Sequence, residues 1–304
     1  MNMISFVQEY ETLTAQLWAE ISTETFMTEG LCFDRSGENL YFVNVYEGKI
    51  LCLNMVQKLC RIVYESAGEK FGAVKIDRAG RLFVCSLGDL KSGGGIFAID
   101  QDGNNREEIV PAAYNYMVDD LAFDREGNIY FTDLKGDVCN PCGGVYRVSA
   151  VDGEISQVMK GLASPNGIAF SEDYTGIWVT EMNANRLLYG RFDESRSKVE
   201  TSVAAHLNGR NGPDSCCVDE KGNVYIAMYG QGRIVVVRKN GVPVGQIVFP
   251  QTEKGNVMNT ATVALIPGTC EVVIGATDMT EGSVGLYRAS ALAGPAQTFQ
   301  FLPN

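Results

Sequence analysis

Leu121-Ala122-Phe123-Asp124-Arg125-Glu126-Gly127-Asn128-Ile129-Tyr130-Phe131 is the stretch on which the reading of this chain turns. An apolar triplet runs into Asp-x-x-Gly, and a second apolar run leaves it. The phrase returns as Leu31-Cys32-Phe33-Asp34 to Gly37, Val74-Lys75-Ile76-Asp77 to Gly80 and Cys216-Cys217-Val218-Asp219 to Gly222. Two weaker copies, Ile168-Ala169-Phe170-Ser171 and Val263-Ala264-Leu265-Ile266-Pro267, fill the gaps. The turn anchors are residues 34, 77, 124, 171, 219 and 267, separated by 43, 47, 47, 48 and 48 residues. Spacing this even marks an internal repeat.

Within each repeat the segments are short, rich in Val, Ile, Phe and Tyr, and bounded by Gly, Asp and Asn, which is the composition of strands. A Gly or Asn followed by an apolar strand recurs after every anchor, as in Gly48-Lys49-Ile50-Leu51, Gly144-Val145-Tyr146 and Gly232-Arg233-Ile234-Val235. Asp102-Gly103, Asp152-Gly153 and Asn240-Gly241 are hairpin pairs, because both residues tolerate positive φ. Four antiparallel strands in each repeat of this length make a propeller blade. The expected fold is all-β, a six-bladed β-propeller with a metal site in its central channel. It occupies residues 1–304 as one domain, with 1–14 as an N-terminal extension. A ring needs its ends sealed, and Leu17-Trp18-Ala19-Glu20-Ile21 and Thr298-Phe299-Gln300-Phe301 are expected to complete the last blade together.

Five residues before each anchor stand Glu29, Gly72, Asp119, Asn166, Asp214 and Thr262. In a propeller these positions open the innermost strands and converge on the axis at one end. Three carboxylates meeting there would raise one another's pKa or push the blades apart unless a cation neutralises them. With Asn166 they form a hard-oxygen set suited to Ca²⁺, whose flexible coordination fits a ring of side chains better than Mg²⁺. Zinc would call for Cys or His, and His206 is the only histidine. A lone Asp at a blade end is usually a turn cap, but four matched positions are not explained that way. Asp120 is expected to face away into its blade by strand alternation. Gly72 and Thr262 leave one side of the ring less crowded, where a substrate could enter. A cation with open positions polarises a carbonyl or phosphoryl oxygen, and a neighbouring carboxylate serves as base or nucleophile.

Bulk properties narrow the function. With 37 acidic and 25 basic residues the net charge is −12, which repels phosphate backbones and argues against nucleic acid. The start Met1-Asn2-Met3-Ile4-Ser5 lacks the pattern of a secretory signal, and no apolar run is long enough for a membrane span. Nine scattered cysteines read as free thiols in a reducing, cytoplasmic setting. Cys139-Asn140-Pro141-Cys142 has knuckle spacing without partners to complete a zinc site, and reads as a loop. His206 falls in the connection before Asp214. Tyr114, Tyr116, Met228 and Tyr229 either wall a pocket or fill blade interfaces.

At these residues the chain resembles the six-bladed calcium-dependent lactonases, which include gluconolactonase and regucalcin (senescence marker protein), with diisopropyl-fluorophosphatase on the same plan. Within that family it is most similar to the staphylococcal drug-responsive branch. The phrases that carry this include Glu29-Gly30-Leu31, Asp119-Asp120, Phe131-Thr132-Asp133, Asn166-Gly167-Ile168-Ala169, Trp178-Val179-Thr180-Glu181, Gly212-Pro213-Asp214-Ser215-Cys216-Cys217 and Ala227-Met228-Tyr229-Gly230-Gln231-Gly232-Arg233. The resemblance runs from about residue 15 to the end. It implies Glu29, Asn166 and Asp214 as ligands of a catalytic calcium, Asp119 completing the set, and Ser215 beside the same ion. Asp214 matches the proton donor or acceptor. A second, structural calcium is implied in part by Ser92 and Gly94, but the acid expected upstream of Asp119 is replaced by Pro111-Ala112-Ala113-Tyr114-Asn115-Tyr116.

The expected activity is Ca²⁺-dependent opening of a small lactone to a hydroxy acid, with Asp214 or Asp119 managing the water and the leaving alkoxide. Phosphotriester hydrolysis on the same site is the rival enzyme reading. A non-catalytic propeller, held by its ion and binding a protein partner through loops, is the rival from another class.

Overall fold

Each Asp-x-x-Gly turn folds the chain back for a local reason. In the computed structural model, which describes residues 10–302 except 195 and 197, Asp124 Oδ1 accepts the backbone N–H groups of Glu126 (3.0 Å) and Asn128 (2.9 Å), and its Oδ2 accepts the Asn128 amide (2.8 Å). Asp219 repeats the arrangement with Lys221 and Asn223. The carboxylate thus satisfies turn donors that no ladder can reach. Gly127 closes the turn at φ +87°, a region a glycine adopts at little cost. In the copy that lacks a glycine, Tyr174 takes that place at φ +64°. Its ring stacks on Phe170 at 5.1 Å and its hydroxyl donates to the Gln297 carbonyl at 2.9 Å, so packing holds the strained backbone.

The strands assemble into six sheets, one per repeat. Their innermost strands are Thr28–Phe33, Lys70–Ile76, Val118–Phe123, Pro165–Phe170, Pro213–Val218 and Met258–Leu265, which we number as blades one to six. The fold is the expected six-bladed β-propeller. Six apolar clusters make up the core, one at each interface between neighbouring blades. Middle strands are therefore buried on both faces, as in Leu82–Gly88 and Ile129–Asp133, and read as continuous apolar runs rather than alternating ones.

Closure differs from the expectation at one end. Gln16–Ser22 supplies the outer strand of blade six, antiparallel to Ser283–Ser290. Glu11–Thr14 adds a fifth, parallel strand to blade five. Among the described residues the C-terminal segment makes no strand: Phe299–Phe301 is a 3₁₀ turn. The outer edge of blade six is already taken by the N-terminal strand, so the tail crosses the lower face as a strap. Ala291 N–H bonds Cys270 O in blade six and Ala296 N–H bonds Val218 O in blade five. Gln297 meets Tyr174 of blade four, Phe299 stacks on Phe123 of blade three and lies under the Arg78 guanidinium of blade two, and Gln300 reaches Cys32 of blade one.

The strap and the inner strands line a partly open chamber of about 150 Å³ beneath the top of the channel, bounded chiefly by apolar residues such as Leu121, Ile168 and Leu265. Because the strap ties all six blades, Phe299→Ala should destabilise the protein by about 2 kcal/mol, a moderate value for a half-buried ring. Thermal denaturation followed by circular dichroism should show a Tm about 4 °C lower or more. An unchanged Tm would show that the strap is passive.

Candidate functional site

Every innermost strand carries a bulge at its upper end. The pairing register slips between Glu29 and Cys32, Phe71 and Ala73, Val118 and Leu121, Pro165 and Ile168, Pro213 and Cys216, and Thr260 and Thr262. A bulge leaves residues unpaired and re-aims side chains. Here it turns Glu29, Asp119, Asn166 and Asp214 inward, each the second residue of its strand.

One ligand atom from each of Glu29, Asp119 and Asp214 can be chosen so that all three lie within 4.8 Å of one another. The three residues are buried, as is Asn166. Asp214 Oδ1 accepts the Ser215 N–H at 2.9 Å, while Asp214 Oδ2, Asp119 Oδ2 and Asn166 Oδ1 are buried without a partner. Buried oxygens of this kind are normally satisfied, so the set fits a hard cation in ligand type and in need. Ser215 sits at the same bulge, buried beside Asp214.

Electrostatics say the same. Two unit charges this close repel on the order of 3 kcal/mol even at an effective dielectric of about 20. Burial, followed by the charges of Asp214 and Asp119, pushes the Glu29 carboxyl well above its usual range. Burial and the Asp119 charge do the same to Asp214. Asp119 is pushed up to about 8 by burial and by Asp120, against a lowering from Lys75.

Polar groups behind the ring hold it in place. Thr132 Oγ1 accepts the Asp120 N–H at 3.1 Å and donates to the Asn166 carbonyl at 2.6 Å, tying blade three to blade four. Thr180 Oγ1 accepts the Gly167 N–H at 2.7 Å and donates to the Asp214 carbonyl at 2.6 Å, tying blade four to blade five. The acid after each threonine caps the connection that enters its own blade: Asp133 accepts Met117 N–H and Glu181 accepts Ala163 N–H. These struts were legible as the repeated Thr132-Asp133, Thr180-Glu181 and Thr277-Asp278, although only a matched position, not a chemistry, flags them.

Two readings of the ring need correction. Gly72 does not open a gap: a Cβ there would lie 2.3 Å from the Asp119 carbonyl oxygen, so the glycine lets blades two and three touch. Thr262 is not at an opening either, since its Oγ1 accepts the Leu31 N–H at 3.1 Å across the joint between blades six and one. Asp120 does turn from the ring, but it bridges blades rather than entering its own. It pairs with Lys75 Nζ of blade two at 2.9 Å and accepts the Ile168 N–H of blade four at 3.3 Å.

Other candidates fall outside the cluster. Met228 is core between blades four and five. Tyr116 packs edge-on against Phe131 and tilted against Tyr146 in blade three, and Tyr114 is exposed beside it. His206 ends the exposed outer strand of blade four, and Cys139 and Cys142 are exposed free thiols. Around Ser92 and Gly94, Asp89 Oδ1 accepts the Ser92 N–H, Gly94 N–H bonds Tyr116 O, and the Lys135 ammonium bonds Asn115 O. Tyr46, which sequence reasoning missed, stands exposed in the loop above blade one, and its hydroxyl pKa is raised by desolvation and then by the charges of Tyr229, Glu29 and Asp214.

Fold and site together define a six-bladed propeller with a buried oxygen cluster at the upper end of its axis. The chain belongs to the SMP-30/Gluconolactonase/LRE-like family, whose profile matches residues 27–260. It is 42% identical to lactonase drp35 of Staphylococcus saprophyticus over 301 residues, covering 97% of this chain and 92% of that protein. Among solved structures it superposes on luciferin-regenerating enzyme with a TM-score of 0.75 at 19% identity, covering 92% and 97% of the two chains. On the calcium-binding protein regucalcin from Agrobacterium tumefaciens the TM-score is 0.74 at 14% identity, covering 95% and 99%.

Carboxyls whose pKa is higher folded than unfolded bind extra protons in the native state, so their stabilisation is lost as pH rises through the folded value. Metal-free protein should therefore lose thermal stability between about pH 4 and pH 8, the window bounded by an ordinary carboxyl and by Asp119 at about 8. Added Ca²⁺ should restore the loss most strongly at the upper end. Melts across pH with and without EDTA test this, and a chelator-insensitive, flat profile would rule out the cluster as a cation site.

Proposed function

We propose that this chain is a Ca²⁺-dependent hydrolase that opens a small lactone to its hydroxy acid. The observation that carries the reading is the buried trio Glu29, Asp119 and Asp214 with its unpartnered oxygens, in a chain 42% identical to a protein named a lactonase. Glu29, Asn166, Asp214 and Ser215 would hold the ion, with Asp119 completing the set. Bound calcium would polarise the lactone carbonyl and steady the oxyanion that forms on it.

Proton handling falls to the carboxylates. Asp214, held at Oδ1 by the Ser215 N–H, would take a proton from the attacking water as well as contact the ion. The new bond joins water oxygen to carbonyl carbon, and the ester C–O bond breaks. The proton on Asp214 then passes to the departing ring oxygen, leaving a hydroxyl at one end of the product and a carboxylic acid at the other, which gives its remaining proton to solvent and becomes a carboxylate. Asp119 is the alternative carrier of the same proton. Tyr46 and Tyr229, in the loops that follow Asn39–Asn44 of blade one and Val224–Met228 of blade five, would flank the mouth, where an apolar ring would rest. Nine unpaired thiols suit a reducing compartment, in keeping with a cytoplasmic enzyme.

Hydrolysis of dihydrocoumarin, measured before and after chelation, is the direct test. Activity should vanish with EDTA and return with Ca²⁺. Asp214→Asn should lower kcat by about 100-fold or more, the usual scale for a general acid-base group. Full turnover by a chelated sample or by Asp214→Asn would refute the mechanism. A preference for an organophosphate over every lactone would favour the phosphotriester reading, and calcium-dependent stability with no turnover would favour a binding propeller.

A further inference from the structure

Blade three poses a problem that the other acid-bearing blades do not. Its bulge contains two adjacent carboxylates, Asp119 and Asp120, both outside the regular pairing that resumes at Leu121. In blades one, four and five the neighbour at the bulge is Gly30, Gly167 or Ser215, so only one side chain there carries a ligand carboxylate or amide. Either acid of blade three could be offered to the axis, and something has to choose.

Two residues before the six anchors stand Cys32, Lys75, Ala122, Ala169, Cys217 and Leu265. Lys75 is the one basic residue among these positions, and it lines the chamber beneath the ring. Its ammonium lies 2.9 Å from Asp120 Oδ1, and the Asp120 side chain is 1% exposed. Asp120 Oδ1 also accepts the Leu121 N–H at 2.8 Å, and Oδ2 accepts the Ile168 N–H at 3.3 Å. Its own N–H goes to Thr132, which in turn holds the Asn166 carbonyl. Fixing Asp120 therefore fixes the backbone under two members of the proposed ligand set.

We propose that Lys75 is the positioning residue of the axial site: by holding Asp120 toward the chamber, it turns the blade-three bulge so that Asp119 faces Glu29 and Asp214. This rests on the functional reading above only in taking the ring to bind Ca²⁺. The geometry sets two effects against each other. As a cation near a cation site, Lys75 repels calcium, so charge alone predicts that its removal tightens binding. As the group that orients Asp119, it improves the site, so positioning predicts that its removal weakens binding. Partners behind metal ligands are typically worth about 10- to 100-fold in metal affinity.

The sign can be read by calorimetric titration of chelator-stripped wild type, Lys75→Met, Lys75→Gln and Lys75→Arg with Ca²⁺. Lys75→Met should bind calcium about 10- to 100-fold more weakly, Lys75→Gln less severely, and Lys75→Arg close to wild type. Unchanged or tighter binding in a folded Lys75→Met or Lys75→Gln protein overturns the proposal. If wild type itself fails to bind Ca²⁺, the functional reading falls, and a crystal structure of either variant decides the positioning role separately. Asp120 leaving the Leu121 and Ile168 amides supports the role. Asp119 and Asp120 standing as in the wild type refute it.

Discussion

Three carboxylates held within 4.8 Å of one another inside a protein set the terms for the rest of this molecule. They cannot all be charged without help, and burial makes each of them costly. Such a cluster survives only where rigid elements hold it and where folding energy comes from elsewhere. The propeller meets both conditions. Its core is divided among six interfaces around the axis, so the upper axis is free to be polar. The apolar chamber and strap close the same axis below.

The ring is held by backbone and hydroxyl groups more than by charge. Thr132 and Thr180 each join one bulge to the carbonyl of the next ring residue, and Thr262 does a related job between blades six and one. Glycine matters where two strands touch: a Cβ at Gly72 or Gly167 would strike the backbone of the neighbouring bulge. These contacts make blade order and bulge geometry one problem. A shift of one blade would misalign the oxygens of the next, which is why the ligand residues fall at the same strand position in four blades.

Much of this was legible because a propeller writes its symmetry into the chain. The Asp-x-x-Gly anchors located the blades, and counting back from them located Glu29, Asp119, Asn166 and Asp214. What escaped was everything that depends on the bulge or on the ring as a closed object. Simple alternation expected Asp120 to enter its own blade, because it allows no inserted residue. Gly72 read as open space, because sequence spacing does not show how near the next backbone comes. The partnership of Lys75 with Asp120 joins neighbouring repeats at positions that differ within the repeat, so no periodicity marks it. The tail reads as a strand by composition, yet the edge it would need is already filled by Gln16–Ser22.

The charge balance of the axis bears on which molecules suit the site. Four buried carboxylates, Glu29, Asp119, Asp120 and Asp214, face one paired ammonium, Lys75. With all of them ionised the excess is three negative charges, and a dication would leave one. A neutral cyclic ester meets no repulsion from that remainder, while the carboxylate produced by ring opening does. On the proposed reading, the same excess that demands a cation also weakens the hold on product, so binding and release draw on one electrostatic asymmetry. The net charge of the chain, −12, has the same sign as that remainder.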